Sequence, residues 1–381
     1  MNQLSFVPQS PPPLPAASTA FSGERRAFLE LVSRGAALEL VTLGFYRFWL
    51  ATDIRRHLWT NTVVDGDAAE YTGRGKELLI GFLFAMAILV PIYLAYFLVS
   101  VEAERWKGFA GVPLVIAFYA FGQFAMYRAR RYRLTRTVWR GVRFWMDGSG
   151  WSYAGRAMLW TLLVVLTLGL AWPWREAALE RYKMQHSYYG DLHGSFEGRG
   201  WEFFKRAWWL LPCALISLVL LPLLPFVYAR FRAIEWRWWL SGIRFGGAHL
   251  ESTLRPGALY GLYWKVIGWF MLLPVVSGIY FGVVVGAAAK FGRASAEDGP
   301  PTPEVLLDNI PLLVTIGLGY VALVLALNVV MRLYLLRDIW ARVVGSVEVH
   351  GIAALANVTA KGDLASALGE GFADGLDVAG F

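Results

Sequence analysis

Six stretches of this chain run for 18 residues or more without a charged side chain, and they constrain what it can fold into more than anything else. A helix needs roughly 20 mostly apolar residues to cross a hydrocarbon layer about 30 Å thick. Leu78–Ser100, Phe109–Tyr127, Ala207–Ala229, Val266–Ala289 and Ile310–Met331 meet or nearly meet that length, and Ala157–Trp174 is shorter, with Gly169 and Pro173 near its end. A seventh stretch, Phe28 to Trp49, is interrupted by Arg34 and Glu39. Glu30 and Arg34 stand four apart, the spacing of a helical ion pair, which leaves Glu39 as the unpaired carboxylate near membrane depth. With 57% hydrophobic and 17% charged residues and a mean hydropathy of +0.45, the chain is too apolar to clothe itself in polar groups. Intrinsic disorder, fibrous repeats and binding to nucleic acid through a basic tail are excluded. A disulfide scaffold is excluded as well, because Cys213 has no second cysteine to pair with.

Residues Met1–Gly23 lack an apolar stretch and carry the run Pro11–Pro15, so they read as a disordered tail rather than a signal peptide. Trp49, Trp106, Trp174, Trp208, Trp209, Trp264 and Trp340 stand at segment ends, the pattern of an aromatic belt. Between Arg128 and Arg156 eight arginines face one acid, Asp147, whereas Lys290–Asn309 carries four acids against Lys290 and Arg293. Basic loops stay cytoplasmic. Seven crossings then put the first loop and the C-terminus inside, and the second loop and the N-terminus outside. If the first segment only dips, the N-terminus is inside.

The chain also matches itself. At an offset of 125, Leu40–Gly44 meets Val165–Gly169, Trp49 meets Trp174, Arg56 meets Arg181, and Thr62 meets Ser187. Tyr71, Gly73, Arg74, Gly75 and Glu77 meet Phe196, Gly198, Arg199, Gly200 and Glu202. A second offset, 101, sets Arg136–Phe144 on Arg237–Phe245, and a fainter copy precedes Val347. Each copy reads as an apolar helix, an Arg-rich amphipathic stretch, and a short β-like run with a turn; Asp65-Gly66 is a hairpin signal. Such hairpins are marginal alone, so the copies are expected to gather into a small cytoplasmic sheet or platform. One conflict stands: if Ala157–Trp174 crosses once, the basic stretch Arg175–Arg206 falls outside. Either the halves form an inverted repeat or some segments are re-entrant, and simple crossing is the narrow preference.

The stretch Thr42–Trp49 (TLGFYRFW), followed by Ile54–Thr62 with Asn61-Thr62, by Tyr71–Gly75 and by a tail containing Gly362–Ala365 and Ala367–Asp374, resembles the YjgN family of bacterial inner-membrane proteins, a family of unknown function. The likeness covers Ala27 to Phe381. Two departures are the polar Arg34 and Glu39 in the first helix and Arg136-Thr137 where an Asn-Thr pair is expected. The resemblance implies a polytopic inner-membrane protein and no particular activity.

No nucleophile elbow, phosphate-cradling loop or dinucleotide fingerprint is present. His186 and His193 flank Asp191 without a third convergent ligand, so no metal site and no cofactor are expected. Gly73-Arg74-Gly75 and Gly198-Arg199-Gly200 have the makings of an anion cradle, although a turn needing positive φ explains them more simply. Glu77 and Glu202 suit a helix N-terminus. Glu39, with Arg34, is the candidate transport or charge site, and Arg130, Arg131 and Arg133 are candidates for gripping anionic headgroups.

The expected fold is therefore an all-α polytopic membrane protein with about seven transmembrane helices, internal repeats and short cytoplasmic β-hairpin-like modules. The expected divisions are a tail (1–26), two membrane repeat units (27–156 and 157–265), a C-terminal helix pair with a basic module (266–345) and a final tail (346–381). The expected role is a carrier or channel for a small solute or ion in the inner membrane, the alternative a non-transporting lipid-binding or scaffolding protein. Membrane lipids are the expected partners, nucleic acid is not, and no enzymatic activity is expected.

Overall fold

A computed structural model describes residues 16–102, 107–293, 310–362 and 364. Ten short strands close into one antiparallel barrel: β1 (Ala17–Phe21), β2 (Thr62–Val64), β3 (Asp67–Tyr71), β4 (Thr137–Trp139), β5 (Val142–Met146), β6 (Ser187–Tyr189), β7 (Leu192–Phe196), β8 (Ile243–Phe245), β9 (Ala248–Ser252) and β10 (Val347–His350). Strands adjacent in sequence are adjacent in the barrel, and β1 pairs with β10 to close it, Ala17 opposite Val349. Four two-residue turns join β2 to β3, β4 to β5, β6 to β7 and β8 to β9. Asp65-Gly66 (φ 52° and 84°) and Arg140-Gly141 (φ 49° and 73°) are left-handed at both central positions, the geometry that follows strand twist in a tight hairpin.

Every other connection is helical. Helices α1 (Arg25–Val41) and α2 (Arg47–Thr60) join β1 to β2, and α3 (Gly75–Glu102) and α4 (Lys107–Thr135) join β3 to β4. Helices α5 (Gly150–Leu166) and α6 (Trp172–Gln185) join β5 to β6. Helices α7 (Gly200–Ala207), α8 (Leu210–Val219) and α9 (Leu224–Ser241) join β7 to β8. The last connection holds α10 (Tyr260–Arg293), α11 (Ile310–Met331), a π-helical turn (Arg332–Asp338) and α12 (Ile339–Val344). Because the strands alternate in direction and the tight turns share one end of the barrel, all five helical excursions leave from and return to the other end. Each packs on the next in chain order, and α1 completes the circuit against α11.

This architecture corrects the all-α, seven-crossing expectation. Among the described residues, four helices are long and apolar enough to cross a membrane, their candidate spans being Gly75–Phe97, Gly111–Thr135, Tyr260–Ala287 and Ile310–Val344. In the most apolar windows of the last two, 0% and 6% of residues are buried, so beyond their packing on each other these apolar surfaces have little protein cover. Phe28–Trp49 and Ala157–Trp174 are not crossings; each contains a tight turn, at Thr42–Tyr46 and Thr167–Ala171, that sends the chain back to the barrel. Ala207–Ala229 is broken into α8, a 3-10 turn at Leu221–Leu223 and the start of α9. Consequently neither an inverted repeat nor a single crossing at Ala157–Trp174 describes the chain, and Arg175–Arg206 lies at the same end of the molecule as Arg128–Arg156. The β-like runs are strands of a closed barrel rather than a platform, since closure leaves no marginal edge. The tail reading is corrected for Ala17–Phe21, which is β1; residues 1–15, most of the acidic 290–309 loop and the 367–374 motif lie outside the described residues.

Elements of the same kind and length lie 125 residues apart: α1 and α5, α2 and α6, β2 and β6, β3 and β7, and the starts of α3 and α7. The second offset is corrected by five residues, because hairpin Thr137–Met146 corresponds to Ile243–Ser252. Gly141 is in a turn, whereas Gly242 caps α9, where a Cβ would strike the Phe196 ring.

Hydroxyls stitch helix to strand. Thr62 Oγ1 donates to Leu58 O (2.8 Å), Thr137 Oγ1 to Arg133 O (2.9 Å) and Ser187 Oγ to Lys183 O (2.8 Å), each satisfying a last-turn carbonyl. Thr62 Oγ1 also accepts from Trp340 Nε1 at 3.0 Å. Thr62→Val is therefore expected to cost about 1–3 kcal/mol in denaturation, because it strands a half-buried indole N–H as well; a change below about 0.5 kcal/mol would contradict that role.

Candidate functional site

Phe144 on β5 lies 5.8 Å from Phe245 on β8, three strands away, a contact made through the barrel lumen. Side chains alternate along each strand, so the residues in register with these two point inward: Val349, Ala17, Trp139, Tyr189 and Ala248, all buried. The outer face carries Arg143, Arg244, His249, Glu251, Glu348 and His350. The lumen is thus apolar and aromatic. At its helical end Trp59 and Trp340 stack 5.0 Å apart, and Trp59 Nε1 donates to Thr137 Oγ1 at 3.0 Å.

Above that pair, charged groups converge inside the circuit of helices. Glu180 of α6 accepts from Arg130 of α4 at 2.6 Å and pairs with Lys183 at 2.5 Å, its side chain 6% exposed. The Arg130 guanidinium also sits 5.9 Å from the Trp239 ring of α9. Burial acts to raise the Glu180 carboxyl, but Arg130 and Lys183 outweigh it and hold it down to about 2. Glu235 of α9 goes the other way: burial raises it, Glu176 adds to the rise, and Arg232 only partly opposes it. The acidities of these two carboxyls are therefore pushed in opposite directions by their surroundings.

A cleft of about 280 Å³ opens beside this cluster between α9, α10, the π-helical turn and α12. Tyr228, Trp236, Tyr263 and Trp340 give it aromatic walls, Leu335, Leu336, Ile339 and Val343 an aliphatic floor, and Arg232 a cation. Tyr228 and Tyr263 stand edge-on at 5.4 Å. The π-helical turn widens the helix where the cleft needs room, a placement common at functional sites. The cleft lies at the foot of the two spans α10 and α11, where a ligand with one polar and one apolar end finds both environments.

The residues singled out from sequence are not brought together here. Glu39 is not unpaired: it bonds Arg332 Nη2 of the π-helical turn at 3.1 Å, both side chains about one-quarter exposed. Arg34 is exposed, and Glu30 pairs with Arg26 (3.1 Å) rather than Arg34. Arg56 and Arg181 reach the carbonyls of Gly73 (3.3 Å) and Gly198 (3.4 Å), and Asn61 Nδ2 donates to His57 O. The glycine pairs serve close approach, not positive φ. A Cβ on Gly73 or Gly198 would strike the Tyr71 or Phe196 ring, and one on Gly75 or Gly200 would lie 2.8 Å from the Trp49 or Trp174 Cα. Arg74 and Arg199 are exposed, as is Glu202, whereas Glu77 accepts from Tyr132 and Arg136 at 2.9 Å each.

Ser187, already placed under α6, is buried. Arg130, Arg131 and Arg133, the headgroup candidates, are half-buried and lie in α4, which corrects their placement in a loop. His186 turns to Asp147 (2.8 Å), His193 to Gln185 O, and Asp191 to Thr359 N, so these three do not converge. Sequence reasoning missed Glu180, Arg232, Trp239 and Arg332. One signal existed: the offset of 125 sets Glu180 on Arg55, a reversal of charge at two buried positions.

A family model described as a bacterial protein of unknown function (DUF898) matches residues 16–233 and again 210–375. No curated protein and no solved structure matches the chain.

Proposed function

We propose that this chain, which belongs to the DUF898 family of bacterial proteins of unknown function, is a multi-pass inner-membrane protein that binds an amphiphile and catalyses no reaction. The YjgN family that its motifs resemble is this same family. The four apolar helices among the described residues that are long enough to cross are compatible with a membrane protein. In the proposed placement α3–α4 and α10–α11 cross as two hairpins, with the barrel and both described chain ends on the cytoplasmic side. That placement puts both basic stretches inside, as the positive-inside rule asks.

The observation carrying the binding role is the cleft at the foot of α10 and α11, aromatic and aliphatic with Arg232 as its cation. Such a site suits an anionic head beside Arg232 and an apolar body along Leu335, Leu336 and Ile339. The test is the lipid retained by protein purified in mild detergent, identified by native mass spectrometry. Arg232→Gln and the cleft-filling Leu336→Trp are expected to lose it at least tenfold, while Glu39→Gln keeps it. Full retention by both cleft variants would end the proposal. A carrier for a small solute or ion is the second reading, favoured by the Glu39–Arg332 pair, which links the first excursion to the last at 3.1 Å. An ion flux into vesicles that Glu39→Gln abolishes would put that reading first.

A further inference from the structure

Two of the short helical hairpins end in the same unusual turn. Thr42-Leu43-Gly44 and Thr167-Leu168-Gly169 sit 125 residues apart, and both leucines are left-handed, at φ 51° and 50°. A Cβ-bearing residue is strained there, and the strain persists only where the surroundings hold it. What the turn achieves is exposure: Leu43 is 90% and Leu168 95% exposed, with Val41, Phe45, Leu166 and Leu170 around them exposed too. For a tip facing water this arrangement has no use.

The backbone of the tips gives the second clue. Every N–H from Thr42 to Arg47 and from Thr167 to Trp172 finds its acceptor within the turn or the helical turn before it. The threonines complete the set: Thr42 Oγ1 accepts from Tyr46 N (2.9 Å) and donates to Leu38 O (2.7 Å). Thr167 Oγ1 likewise accepts from Ala171 N (3.1 Å) and donates to Leu163 O (2.8 Å). In water a loop leaves such donors to solvent; in hydrocarbon each must be met internally. Length then sets the depth. From Leu159 to Leu166 the exposed apolar face of α5 rises about 10 Å, roughly a third of a hydrocarbon core about 30 Å thick. On α1 the exposed Arg34 stands about the same rise below Val41, where the turn begins, and so stays at the polar boundary when the tip is immersed.

We infer that the Thr42–Phe45 and Thr167–Leu170 tips are self-satisfied wedges that enter the acyl-chain region of the leaflet nearest the barrel and stop there without crossing. The inference rests on the membrane reading above, and adds that these two excursions bind lipid chains of one leaflet beside the helices that span both.

The test places an environment-sensitive thiol probe, one position at a time, on full-length protein carrying Cys213→Ala in vesicles of zwitterionic and anionic phospholipid. Leu168→Cys and Leu43→Cys are used for the tips, Ile88→Cys for the exposed face of α3, and His193→Cys for the exterior of the barrel. Both tip probes are expected to show blue-shifted emission and quenching by nitroxides on the acyl chains, with at most one-fifth of the iodide quenching seen at His193. If the tip probes are quenched by iodide as His193 is while the Ile88 probe stays protected, the wedge fails and the membrane reading survives. If Ile88 is also open to iodide, the membrane reading fails and takes the wedge with it. Labelling of Leu168→Cys by an impermeant reagent from the face opposite His193 would mean a crossing, and would equally overturn the wedge.

Discussion

Glu180→Gln lowers the stability of the protein by about 3–5 kcal/mol, the range for removing one partner from a buried ion pair. The side chain is 6% exposed between Arg130 and Lys183, at 18% and 20%, so its loss leaves two shielded cations facing each other. The same group sets a pH response. Its carboxyl is held at about 2 in the folded protein against an ordinary value of 4.5, so the unfolded chain takes up the proton first as acid is added. The contribution, about 3 kcal/mol, is complete above pH 4.5 and drains away as pH falls toward 2. Thermal unfolding in detergent from pH 7 to pH 3 measures both. The parent protein is expected to lose stability steeply below pH 4.5, and Glu180→Gln to start lower and decline less. Parallel curves would show that the pair does not carry this linkage.

Gly200→Ala and Gly75→Ala each destabilise by about 1–3 kcal/mol, against the usual trend. Inside a helix an alanine is ordinarily better than a glycine by about 1 kcal/mol. Here the added Cβ meets backbone rather than a movable side chain: 2.8 Å from Trp174 Cα and 3.0 Å from Pro173 O at position 200, and 2.8 Å from Trp49 Cα at position 75. Relief requires α6 to move off α7, or α2 off α3, and overpacking of that kind is costly. Gly155→Ala in α5, where nothing lies within 4 Å of the new Cβ, is the control and is expected to stabilise. Denaturant midpoints of the three variants decide it; a neutral Gly200→Ala would mean that the helix contact is looser than it looks.

The apolar runs were legible because hydropathy is a local property: α11 coincides with the charge-free run Ile310–Met331. The hairpin at Asp65-Gly66 was legible for the same reason, since two φ-positive residues are a two-residue signal. The barrel was not. Strands of three residues, such as Thr62–Val64, are too short to show an alternating pattern, and the pairing of Ala17 with Val349 has no local correlate. Glu39 was singled out as a lone carboxylate because its partner, Arg332, stands 293 positions away. The interior cluster was hidden in another way, for Glu180 in sequence is one acid in an ordinary charged helix.

Sequence by itself determined the materials: apolar segments of spanning length, basic stretches beside them, and a motif set recurring at 125 residues. These are sums over neighbouring residues, and no tertiary contact is needed to read them. Only the tertiary structure decided which apolar segments stay straight and which turn back, because a tight turn of Thr, Leu and Gly changes hydropathy hardly at all while reversing the chain. It also decided that five helical excursions stand on one closed barrel. Closure joins strands through backbone hydrogen bonds, and backbone groups are the part of the chain on which side-chain patterns are silent.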